Sequence, residues 1–128
     1  MAYQEQLADR LRIALDPALP VEERWMFGGL IFLFAGRMLC GTSGADFMFR
    51  VGVGRMEEAL RKPGARPIRL GDRAPMSGFV WVQASDVAGE AIDRWLHWCL
   101  ENQQTLDQAQ KRGALRRPTR FSISGWID

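Results

Sequence analysis

Arg24 to Phe34 reads RWMFGGLIFLF, the most apolar run in the chain, with Gly28-Gly29 near its centre. Such a run fits a membrane segment, a ligand-cradling loop or a core strand bent at its glycines. The uncharged part, Trp25 to Ala35, is far shorter than the roughly 20 residues a bilayer requires. The N-terminus mixes acidic, basic and apolar residues, unlike the charged start and apolar block of a signal peptide. A soluble, cytoplasmic chain without membrane contact is expected. Glycines inside a strand mark bulges or kinks, and Phe27 and Leu30 suit a core on either remaining reading. The run is therefore expected to be one long strand, creased at Gly28-Gly29.

Working outward, the periodicity on the two sides of this run differs. Before it, Gln4, Leu7, Leu11, Ala14 and Leu15 share the face of an amphipathic helix over Tyr3 to Leu15, closed by Asp16-Pro17. Pro20 and the acidic Val21-Glu22-Glu23 lead into the apolar run. After it, Ala35-Gly36-Arg37 reads as a turn, Met38-Leu39-Cys40 as a strand, and Asp46 to Val51 as another. These strands form an antiparallel meander, with Phe47, Phe49 and Val51 on one face. A short helix over Met56 to Lys62 stops at Pro63-Gly64. Pro67 to Leu70 suits an edge strand, Phe79 to Val82 is strongly strand-like, and Val87 to Gln110 carries a broad apolar stripe. The fold class predicted is α+β: helix, three-strand antiparallel meander, helix, two strands, and a long C-terminal helix on one curved sheet.

At 128 residues the chain is long enough for one domain with a substantial core. The domain is assigned to residues 1–110 and a basic, aromatic-containing tail to 111–128. The net charge of +2 hides an asymmetry, because Lys111, Arg112, Arg116, Arg117 and Arg120 face only Asp128 in that tail. Cys40 and Cys99 lie far apart, no Cys-x-x-Cys occurs and His97 is the single histidine, so no metal and no cofactor are expected. Two buried, reduced thiols are the expected state.

The segments Met26-Phe27-Gly28-Gly29-Leu30, Ala35-Gly36-Arg37-Met38 and Asp46 to Gly52 together resemble the N-terminal domain of the TfoX/Sxy competence-regulator family. Ala65-Arg66-Pro67, Pro75-Met76 and Gly78-Phe79-Val80 resemble its small stand-alone members, so the likeness runs from about Tyr3 to Leu106. It implies the α+β order above and a lineage of transcriptional co-regulators acting through protein partners. The second domain of full-length regulators has no counterpart here, so the competence role does not transfer whole.

Individual motifs support several site readings. Met26, Phe27, Gly28 and Gly29 are mainly structural. Gly52 and Gly54, with Arg50 and Arg55 beside them at a strand-to-helix turn, form a possible anion or ligand site, though Glu57 occupies the position a dinucleotide fingerprint reserves for glycine. His97 lies off the apolar stripe, within a turn of Asp93, and no nucleophile accompanies it. Trp98, at the stripe's margin, suits either an interface or the sheet edge. In the tail, Phe121 and Trp126 are interface candidates, and Arg116, Arg117 and Arg120 are candidate nucleic-acid contacts. With no catalytic constellation, the leading expectation is a non-enzymatic interaction module that binds a protein partner or self-associates as a homo-oligomer. Nucleic-acid binding through the tail and small-ligand binding are the alternatives.

Overall fold

Six antiparallel strands form one sheet in a computed structural model that describes residues 5–26, 28–69 and 76–116, with side chains described through residue 111. Helix α1 (Glu5–Ala14) precedes the four-strand meander β1 (Val21–Met26), β2 (Gly29–Phe34), β3 (Arg37–Ser43) and β4 (Asp46–Arg50). A 3-10 turn (Val53–Arg55), helix α2 (Met56–Leu60) and strand β5 (Ala65–Pro67) follow, then β6 (Phe79–Gln83), a second 3-10 turn (Ala84–Asp86) and helix α3 (Ala91–Arg116). The sheet order is β1-β2-β3-β4-β6-β5, because β6 returns between β4 and the short edge strand β5. The α+β class holds, with a meander one strand longer than expected.

The extra strand corrects the reading of the opening run. Arg24 to Phe34 is two strands, not one: Met26 pairs with Gly29 and Val21 with Phe34, so the chain reverses between Met26 and Gly29. Gly28 supplies the positive φ of 73° that a tight hairpin turn demands. Gly29 answers to a different constraint. A Cβ there would overlap the Thr42 carbonyl oxygen and lie 2.8 Å from its carbon, on the neighbouring strand β3. The acidic lead-in concealed β1 because four of its six residues are exposed, and an edge strand carries charge where a central one carries apolar side chains.

Bending falls elsewhere. Phe32 pairs with Cys40 but Leu33 pairs with Met38, so Leu39 is the extra residue of a β-bulge in β3. A bulge kinks its strand and raises the local twist. It also lets the adjacent residues Leu39 and Cys40 join the same core cluster.

That cluster lies between the sheet and the helices α1 and α3. Phe49 of β4 stacks on Trp95 of α3, with ring centroids 5.2 Å apart and planes 5° from parallel, and Trp98 meets Trp95 edge-on at 5.3 Å. Leu7, Ala8 and Leu11 of α1 fill the same layer. Arg10 of α1 donates to the Val87 carbonyl and lies over the Phe47 ring at 5.1 Å. The other sheet face holds a second cluster of Ile31, Leu33, Met48, Ile68 and Phe79, all buried. The unbroken apolar run of β2 follows from this, since a strand buried on both faces does not alternate.

Helix α3 starts later and ends later than its periodicity predicts. Gly89 adopts a φ of 49°, outside helical geometry, so the segment before Ala91 forms turns. At the far end the helix runs beyond Gln110 to Arg116, through Lys111, a residue type that favours helix and complements the negative end of its dipole.

Candidate functional site

The turn between β4 and α2 and the middle of α3 face each other across an open cleft of about 350 Å³. Val51, Gly52, Gly54 and Arg55 form one wall, Trp98, Glu101, Asn102 and Thr105 the other, with Glu58 at the rim. An adjoining cleft of about 270 Å³ shares Gly52, Gly54, Asn102 and Thr105 and extends to Arg50, Ser77 and Leu106. The fold thus brings together two groups that are far apart in sequence, the glycine-arginine turn and Trp98.

The local chemistry of this cleft is largely self-satisfied. Arg55 donates through Nη2 to Glu101 at 3.0 Å, lies 3.6 Å from Glu58, and places Cζ 4.8 Å from the Trp98 ring centre. Its charge is bracketed by two carboxylates. The backbone amides of Val51 and Gly52 both donate to the Gly78 carbonyl, so neither is available to an anion. Gly52 has φ 96°, and a Cβ there would sit 2.9 Å from Asn102 Cγ, so the glycine permits close approach of α3. Arg50 turns to the other sheet face, its guanidinium 5.0 Å from the Phe79 ring centre. Burial, and secondarily the charge of Arg37, hold the Arg50 pKa below its ordinary value. With Arg55 held by carboxylates and the Val51 and Gly52 amides engaged, none of the three is left to receive a phosphate.

Trp98, an interface candidate by sequence, is only 7% exposed. It belongs to the chain's own core, against Trp95, with Arg55 and Lys62 over its ring. His97 is exposed, and its Nε2 lies 3.4 Å from Glu101, one turn ahead, in place of the Asp93 expected from spacing. Met26 is half-buried beside the second cluster. Phe27, Arg117, Arg120, Phe121 and Trp126 lie outside the described residues, as does the side chain of Arg116. Cys40 and Cys99 are free and buried. Burial pushes the Cys40 thiol well up and Cys99 up to about 12, the latter moderated by the Arg50 backbone amide. Among the described residues, no group of three or more His, Cys, Asp or Glu side chains is placed to hold a metal ion, and no helix is long and apolar enough to cross a membrane.

Strand β1 presents a surface that the bent-strand reading missed. It is the outermost strand on its side of the sheet, six residues long. Pairing divides its side chains between two faces. Val21, Glu23 and Trp25 stand on the helix side, opposite Phe34, Phe32 and Leu30, while Glu22, Arg24 and Met26 stand on the other. Glu23 accepts two hydrogen bonds from Arg12 of α1, at 2.7 and 2.8 Å, which lower its pKa. Arg24 pairs with Glu22 at 2.8 Å, and Trp25 is 62% exposed. The opposite edge, β5, has three residues and ends in Pro67, which has no N–H to offer a partner strand. The signal available in the sequence was Gly28 between two strand-like runs, a mark of a tight turn as much as of a kink. Compared with protein-family models, curated proteins and solved structures, the chain matches none of them.

Proposed function

We propose that this chain is a non-enzymatic protein-interaction module that recognises a protein along the outer edge of β1, in keeping with the partner-dependent co-regulators its sequence resembles. One observation carries the reading: a six-residue edge strand with Trp25 standing 62% exposed beside it. An edge strand offers a row of backbone donors and acceptors to an added strand, and a neighbouring large aromatic supplies apolar contact area. The mixed charges of Glu22, Glu23 and Arg24 discourage indiscriminate pairing and favour a partner of matching pattern. The contrast with proline-ended β5 supports β1 as the edge left open among the described residues.

The test compares the full chain with Trp25→Lys, a change at an exposed position that leaves the core untouched. Association with itself or with a protein partner, read by light scattering and by quantitative capture, is expected to weaken about tenfold or more while the thermal midpoint stays the same. Equal association by the two chains would overturn the reading.

A further inference from the structure

We infer that the partner at the β1 edge is a second copy of this chain, paired antiparallel about a two-fold axis at Glu23 to give one continuous twelve-strand sheet. The inference rests on the β1-edge reading above and adds the occupant and the register. Two neighbouring antiparallel strands related by a two-fold axis have that axis along the sheet normal, so both copies keep their helices on one side. Residues directly opposite must then share a face, and side chains alternate faces along a strand. A residue therefore meets a partner of its own parity, and one residue meets itself.

Centring the axis on Glu23 sets Val21 opposite Trp25 of the second copy, and Glu22 opposite its Arg24, with each pair occurring twice. On the helix side the half-buried Val21 meets the exposed Trp25, an aromatic against a β-branched residue. On the other side, Glu22 and Arg24 of both copies form a square of alternating sign. The single like-charge meeting is Glu23 with itself, and each of those carboxylates is already held by two hydrogen bonds from its own Arg12. The next register, centred on Arg24, would place Arg24 against itself, Glu23 against Trp25 and Glu22 against Met26. It has no ion pair to offset the repulsion. Charge complementarity and face parity together select the first register.

The experiment uses two exposed single variants of the full chain, Glu22→Arg and Arg24→Glu, each checked for an unchanged thermal midpoint. Sedimentation equilibrium of the unaltered chain is expected to show a dimer. Each variant alone makes both cross-copy pairs repulsive, and its dimer dissociation constant is expected to rise about tenfold or more. An equimolar mixture of the two restores attraction in every pair, so dimers are expected to return as one-to-one heterodimers. Variants that dimerise normally, or a mixture that stays monomeric, would overturn the register. If Trp25→Lys still abolishes association in that case, the edge reading stands without it. An unaltered chain that is monomeric throughout would overturn self-pairing, and loss of captured partner in Trp25→Lys would then leave the edge reading intact.

Discussion

Gly29 is the residue on which the strand spacing turns. Its α-carbon packs so closely on the Thr42 carbonyl of β3 that any side chain must push β2 and β3 apart, against backbone that cannot rotate away. Gly36, in the next turn, meets nothing within 4 Å where a Cβ would be, and adopts a φ of 78°. Gly29→Ala is therefore expected to destabilise by about 3 kcal/mol or more. Gly36→Ala is expected to lose only about 1–2 kcal/mol, the cost of a left-handed L-residue. Urea unfolding of the two variants checks the order, and a smaller loss at Gly29 would show that the strands separate easily. The sequence marked Gly28-Gly29 as unusual without distinguishing their roles. One glycine satisfies a turn, which neighbouring residues hint at. The other satisfies a contact with a strand about a dozen residues away, which no local pattern encodes.

At the level of elements, α1 is tied to β1 by the Arg12–Glu23 pair, reinforced by Asp9 at 2.7 Å and Glu5 at 3.3 Å from Arg12. These hydrogen bonds lower the Glu23 pKa and raise that of Arg12. A carboxylate whose folded pKa is depressed adds stability above its ordinary value of 4.5 and loses it as the pH falls through the folded value. With side-chain exposures of 34% and 38%, the pair is screened by solvent and contributes about 1 kcal/mol at most. Glu23→Gln, measured in dilute solution, is expected to lower stability by up to that amount at neutral pH and to match the unaltered chain once the pH has fallen below the folded Glu23 value, where the carboxyl is protonated in both states. An equal deficit at both pH values would mean that the effect is not electrostatic. The interior strands β2, β4 and β6 were legible because apolar residues dominate them, and α3 because its apolar residues recur at helical spacing. Strand β1 was not, because pairing on one side leaves most of it in water and its charges mask the period of two.

For the whole molecule, Cys40 and Cys99 report on the seam between sheet and helices, where burial raises both thiol pKa values. A neutral buried thiol is compatible with the fold below the unfolded thiol pKa of about 8.5. Above it the unfolded chain ionises first, so stability is lost progressively as pH rises toward the folded value of about 12 for Cys99. A thiol-disulfide reagent at pH 8 is expected to label neither cysteine in the folded chain and both in denaturant, and rapid labelling of the native protein would contradict that burial. The sequence by itself determined the α+β class, the order of the main elements, the Phe47-Phe49-Val51 core face and the long covering helix. These follow from periodicity, which each segment carries within itself. Only the tertiary structure decided that the opening run is a hairpin, that a bulge at Leu39 carries the bend, that Trp98 belongs inside, and that β1 is the sheet's edge strand among the described residues. Each of these depends on what lies across a strand or beneath a helix, and distance in space is not a property that adjacent residues record.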